Sequence, residues 1–142
     1  MVGNTVYVGS GDSTVYALNA DTGEVVWTHE ARAQVESSPA VADGTVYAGS
    51  TDNSVYALDA DNGEVIWTYE TSGWVESSPA VADGTVYIGS WDCSVYALDA
   101  DNGEVIWTYD TERDVFSSPA VADDGTVYIG SRDASVYALR EQ

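Results

Sequence analysis

Two sets of carboxylates are the strongest chemical candidates in the chain: Asp59, Asp61 and Glu64, and then Asp99, Asp101 and Glu104. Each set converges on a glycine turn, and hard oxygen ligands gathered this way could hold calcium. An EF-hand loop wants acids at its first, third and fifth positions and glycine at the sixth, whereas here Gly63 and Gly103 take the fifth. The competing reading is that the first acid caps its turn by accepting backbone N–H bonds, as short polar side chains do. On that reading no metal or other cofactor is assigned, with calcium kept as the open alternative.

The remaining reactive residues are single copies. Cys93 is the only cysteine, so the chain can form neither an internal disulfide nor a CxxC metal pair. The other copies carry Ser13, Asn53 and Ala134 in its slot, which marks an incidental thiol rather than a shared nucleophile. His29 stands where Tyr69 and Tyr109 stand, so it reads as an aromatic substitute without a partnered nucleophile. No catalytic residue is assigned, and the chain reads as a non-enzyme. Aromatic residues remain. Trp27, Trp67 and Trp107 recur at a strict period and read as core, whereas Trp74 and Trp91 each occur once, in connections. With Arg113, which lies in one of the most variable loops, they are the candidate contact residues.

The elements that carry these residues are repeats. Thr45-Val46-Tyr47 aligns with Thr85-Val86-Tyr87 and Trp67 with Trp107 at a step of 40, and the last copy is displaced by one residue at Asp123-Asp124. A period of about 40–45 residues with several short apolar runs is the sequence form of propeller blades, whose units cannot bury their faces alone. One period holds four strands, A (77–83), B (85–90), C (94–100) and D (104–109), joined by Gly, Asp, Asn and Ser. Asp43-Gly44 and Asp83-Gly84 fit two-residue primed hairpins. In strands C and D both faces are apolar, so each sheet is expected to lie between two others. The fold class is all-β, a propeller of four-stranded antiparallel blades with about 3.5 blades in the chain. Residues 1–142 form one segment: blade 1 (strands B–D, 4–30), blade 2 (37–70), blade 3 (77–110) and blade 4 (strands A–C, 117–140).

The stretches Ala57 to Trp67 and Ala97 to Trp107 resemble the tryptophan-docking repeat of pyrroloquinoline-quinone-like propellers, A-x-D-x-x-T-G-x-x-x-W; the first copy, Ala17 to Trp27, has Asn19 for the acid. The resemblance spans essentially the whole chain. It implies that Trp27, Trp67 and Trp107 dock on the next blade against the motif's Gly23, Gly63, Gly103 and Ala17, Ala57, Ala97. The family includes quinoprotein alcohol dehydrogenases, an outer-membrane assembly lipoprotein and extracellular sensor domains. Dehydrogenases add inserted loops with a calcium site, a catalytic acid and a vicinal disulfide, and a single cysteine leaves the last unavailable here. The expected function is therefore a non-catalytic scaffold or binding platform. The alternative is an excised or engineered fragment without a function of its own, with part of a quinone-dependent dehydrogenase as the third possibility.

Composition bears on environment and partners. Four arginines against 24 acids give a net charge of −20, with no lysine. Such a surface repels phosphate, which disfavours nucleic acid and anionic membranes, and the composition resembles that of salt-loving microbes, whose molar salt would screen the self-repulsion. No charged leader or apolar h-region opens the chain, so neither a signal peptide nor a membrane span is expected in it. Localisation stays unassigned, although the family is often exported. Blades 1 and 4 each lack a strand, and open edges invite pairing. The partner expected first is a second copy, two chains closing an eight-bladed ring, with a six-bladed dimer and a lone four-bladed ring as alternatives and another protein as a further partner.

Overall fold

Runs of Val, Ile, Tyr, Thr and Trp form strands throughout, because branched and aromatic side chains suit a pleated, half-buried surface. The computed structural model describes residues 3–115 and 117–140; the outermost two residues at each end of the 1–142 segment, and Phe116 in the loop after Glu112, lie outside it. Within those residues the first sheet holds β1 (Thr5–Gly9), β2 (Thr14–Asn19) and β3 (Val25–Glu30). The second holds β4 (Ala40–Ala42), β5 (Thr45–Gly49), β6 (Ser54–Asp59) and β7 (Val65–Glu70). The third repeats this with β8 (Ala80–Ala82), β9 (Thr85–Gly89), β10 (Ser94–Asp99) and β11 (Val105–Asp110). The fourth holds β12 (Ala120–Val121), β13 (Val127–Gly130) and β14 (Val136–Leu139). All four are antiparallel meanders in chain order. The first strands β4, β8 and β12 touch one another in succession, which places them innermost and the last strands outermost. This is the blade arrangement read from the repeat.

Turn chemistry sets the shape of each blade. Asp43 (φ 49°) and Gly44 (φ 78°) are both left-handed, as are Asp83 and Gly84, which makes the primed hairpin turn whose twist matches the strands. The additional residue at Asp123-Asp124 widens the last copy to a loop ending on left-handed Gly125 (φ 86°). Between the second and third strands of each blade a non-glycine residue is left-handed: Ser13, Asn53, Cys93 and Ala134, at φ 70–77°. Cys93 is thus a turn former, and its carbonyl accepts from the Thr111 backbone N–H and hydroxyl. Asp12, Asp52, Asp92 and Asp133 brace these turns, each accepting a backbone N–H two residues on and a tyrosine hydroxyl, from Tyr16, Tyr56, Tyr96 and Tyr137 in turn. Burial, followed by the bond to Asp52, pushes the Tyr56 phenol up to about 12. The bond from Tyr137 holds the Asp133 carboxyl below its usual range.

The innermost strands are shorter than the sequence suggests, three residues at most where 77–83 had been expected. Proline explains the loss, since Pro39, Pro79 and Pro119 carry no N–H for a ladder. The Ser37, Ser77 and Ser117 hydroxyls instead accept from the Gly49, Gly89 and Gly130 N–H groups at 2.9, 3.2 and 2.9 Å.

The outer strands also differ from expectation. Val65, Ile66, Val105 and Ile106 are 41–48% exposed, so the apolar faces of the last strand are not both sandwiched. The register shifts between Ala57 and Leu58 and between Ala97 and Leu98, a bulge that breaks strict alternation just where the strand leaves the turn. In the middle of the blades the sandwich is complete: Val46, Ala48, Tyr56 and Leu58 face Val15, Ala17 and Trp27 of the preceding blade in one core. Val86, Ile88, Tyr96 and Leu98 face Val55, Ala57 and Trp67 in the next.

Among the described residues the first and fourth sheets do not pair, which speaks against the lone four-bladed ring. Val136 is 79% exposed, whereas Val15, Val55 and Val95 in the same repeat position are at 0%. At the other end Val8 is 40% exposed, against 0% for its counterparts Ala48 and Ile88. The arc therefore ends in two bare sheet faces of opposite kind. Replacing left-handed Ala134 by Gly relieves the φ penalty without removing a contact made by a larger side chain. Ala134→Gly is expected to raise unfolding free energy by about 1 kcal/mol, read from denaturant melts with an unchanged slope.

Candidate functional site

The indole of Trp27 leaves the outer strand β3 and lies on the second blade's turn. Its Nε1–H donates to the Ala60 carbonyl at 2.8 Å, and the Tyr7 hydroxyl donates to the same oxygen at 3.2 Å. A Cβ on Gly63 would come within 2.5 Å of the indole ring, so only glycine permits this approach. Trp67 repeats the arrangement on the third blade, with Ala100 accepting from Trp67 (2.9 Å) and Tyr47 (3.2 Å) and Gly103 under the ring. Tyr7 and Trp27, and Tyr47 and Trp67, lie 5.9 Å apart between ring centres. One carbonyl thus receives both polar tips of an aromatic pair, and the apolar bodies fill the seam.

The motif alanines have a different place. Ala17, Ala57 and Ala97 are fully buried opposite the tryptophan of their own blade, Ala57 across from Trp67 and so on, while the accepting carbonyl belongs to the alanine three residues later. Gly23 has no atom near its would-be Cβ, because no blade precedes it among the described residues. Trp107 pairs with Tyr87 at 6.0 Å but is only half-buried, against 8% exposure for Trp27 and Trp67.

The carboxylates at the glycine turns serve the turns. Asp59 Oδ1 accepts the Asp61 N–H at 2.8 Å, Asp99 does the same for Asp101, and Asn62 and Asn102 cap Glu64 and Glu104. Among the described residues no three metal-binding side chains gather into a possible ion site. His29 packs against Tyr56 in a tilted contact at 5.3 Å as Tyr69 does against Tyr96, and burial lowers its pKa against the pull of Asp52.

Trp74 and Trp91, read separately from the sequence, are one feature. The Trp91 backbone N–H donates to the Trp74 carbonyl at 2.8 Å and the rings lie 4.9 Å apart. Trp74 is 47% exposed. Arg132, not singled out by the sequence, stacks over Trp91 at 5.1 Å and reaches Asp114 at 3.3 Å. Arg113 is exposed nearby, and its carbonyl accepts from Thr111 and Ser131. Beside the pair, burial first and then Glu36 raise the Glu76 carboxyl above its usual range, with Trp91 and Arg132 pulling back. The signal for Arg132 was present in the repeat alignment, where it occupies the Trp91 slot of the following blade.

Four radial meanders stitched by aromatic docking define a β-propeller of pyrroloquinoline-quinone-like repeats. The family model described as outer membrane protein assembly factor BamB matches residues 1–89 and 71–142, and the chain belongs to that family. BamB from Moraxella catarrhalis superposes with a TM-score of 0.84 at 25% identity over 96% of this chain, which spans 46% of that protein, just under half its length. The computationally designed Ika4 protein matches at 0.89 and 19% identity, over 100% of this chain and 88% of that one. Quinohemoprotein alcohol dehydrogenase from Comamonas testosteroni matches at 0.81 and 22% identity over 92% of this chain and 28% of its own. No curated protein sequence matches. Among the described residues no helix is long and apolar enough to cross a membrane.

The Glu76 shift has a definite sign. A raised folded-state pKa means the folded protein holds a proton that the unfolded chain has released, so its contribution is lost as pH rises through the raised value. Melting temperature should therefore fall across the window just above the ordinary carboxylate range in the parent protein, and less so in Glu76→Gln; parallel pH profiles for the two would contradict the assignment.

Proposed function

We propose that this protein is a non-catalytic propeller module that assembles with a second copy of itself through its bare end faces and offers its loop face as a contact platform. The observation that carries the reading is the complementarity of the two ends. The trailing face of the fourth blade presents Tyr128, Val136 and Ala138, the counterparts of residues that are covered at the interior seams. The leading face of the first blade presents Val6, Val8, Tyr16 and Leu18, the counterparts of what covers them. A head-to-tail contact of this kind closes into a ring when the rotation allows. Two such chains laid end to end would supply eight blades.

The platform is the face that carries Trp74, Trp91 and Arg113, to which Arg132 is now added. A packed indole pair, tilted by 42° with one half-exposed member, is the sort of anchor that dominates protein contacts. A catalytic, quinone-dependent reading has less support. The single cysteine of these residues cannot form the vicinal disulfide that the resemblance to that class implies. A second reading, a fragment whose only role is assembly, is favoured by the likeness to the designed Ika4 chain.

Light scattering behind a sizing column, in molar salt to screen the −20 charge, tests the assembly. The expected mass is twice the 15.1 kDa of one chain, falling to one chain on Val136→Glu, whose side chain is already solvated in the single arc. A monomeric parent protein, or a dimer indifferent to Val136→Glu, would overturn it.

A further inference from the structure

At one corner of the loop face the same backbone bond recurs in three successive blades. The Thr51, Trp91 and Arg132 N–H groups donate to the carbonyls of Gln34, Trp74 and Asp114 at 2.9, 2.8 and 3.1 Å. The corner thus closes with threonine on glutamine and with arginine on aspartate as well as with two indoles, so its backbone does not require aromatic side chains. The middle copy is nevertheless adapted to hold them. Gly73 stands where the other copies carry Ala33 and Arg113. A Cβ on it would meet the Asp92 nitrogen at 2.5 Å and the Trp91 carbonyl carbon at 2.8 Å, and glycine lets this loop settle on the turn beneath. The Trp91 Nε1–H is buried and makes no hydrogen bond. A buried donor left unpaired is costly, so this indole is kept for its ring and not for its N–H.

We propose that the Trp74–Trp91 pair receives an arginine side chain presented by a basic partner protein, an inference that rests on the loop face being a contact platform. The chain itself shows the chemistry. The Arg132 guanidinium lies 5.1 Å from the centre of the Trp91 ring and reaches Asp114 at 3.3 Å, so one cation is already held between an indole and a carboxylate here. Trp74, packed on Trp91 and 47% exposed, offers a second indole surface to solvent. The carboxylates beside the pair are Glu76 and Glu36, which repel one another, and Arg132 offsets that only in part. A second guanidinium would relieve it further. Across the whole chain 24 acids against four arginines, with no lysine, attract cations and repel anions. Arginine fits better than lysine, because its planar guanidinium is weakly hydrated and lies flat on an aromatic face while an ammonium holds its water.

The probe is the capped tripeptide acetyl-Gly-Arg-Gly-amide, titrated into the full-length protein and followed by two-dimensional amide NMR. Molar salt screens general attraction to the −20 chain. Binding should shift the indole N–H signals of Trp74 and Trp91 and leave those of Trp27 and Trp67 in place. The same peptide carrying lysine, or citrulline as the neutral isostere, should bind at least about threefold more weakly, the loss of one cation–π contact. Trp74→Gln, which installs the residue of the preceding corner, should abolish the shift at Trp91; a full shift in that variant would overturn the proposal. Equal binding by the arginine and citrulline peptides would overturn the arginine assignment and leave a contact platform standing. No shift with any of the three peptides would overturn both. The peptide comparison uses one unaltered protein, so misfolding cannot imitate its outcome.

Discussion

Two of the three interior seams depend on one contact: an indole laid flat on a glycine, with its N–H and a tyrosine hydroxyl sharing a single alanine carbonyl of the next blade. The backbone carbonyl is already spent on neither strand ladder nor turn, so docking satisfies it while burying two aromatic bodies. Sheets of three or four short strands have little core of their own. Their cores lie between them, in the clusters that join Trp27 to Leu58 and Trp67 to Leu98. Stability is therefore a property of seams, and a blade is ordered by its neighbour.

A seam built this way has a direction. One side contributes indole and tyrosine, the other glycine, alanine carbonyl and a row of branched side chains, so a stack of such blades must end in two unlike faces. That polarity is what makes self-association specific in register, since a face can be covered only by the opposite kind. The surface charge works against it. A chain of net charge −20 brings like charges together whenever two copies meet, which ties assembly to ionic strength. The arginines are few and unevenly placed, with Arg32, Arg113 and Arg132 all in the loops that carry or flank the Trp74–Trp91 pair.

The period, the strand count and the primed turns at Asp43-Gly44 and Asp83-Gly84 were legible because each leaves a side-chain signature at fixed spacing. What escaped has a common cause, in that it is written in the backbone or in position along the radius. Apolar residues on both faces of 104–109 look alike at the hub and at the rim, so the exposure of Val105 and Ile106 could not be read from their type. The bulge opposite Leu98 has no residue of its own to announce it. The docking acceptor is the main chain of Ala60 and Ala100, while pattern pointed to Ala57 and Ala97, which pack on the same strand pair as the tryptophan. Trp74 and Trp91 were legible as exceptions to the repeat, but their contact crosses from a loop to a turn of the next blade, a distance no spacing rule covers.

The central claim, that indole-on-glycine docking holds the blades together, is tested most directly by one substitution made at three equivalent positions. Gly23, Gly63 and Gly103 share nearly the same left-handed φ, 75–78°, so valine imposes the same backbone strain at each. Only Gly63 and Gly103 carry an indole. Equilibrium unfolding of the three variants should show Gly63→Val and Gly103→Val losing at least about 2 kcal/mol more than Gly23→Val, the cost of forcing a side chain into a filled contact. Equal losses at all three positions would mean that the turns need glycine for its φ alone, and that the seams are held by something else.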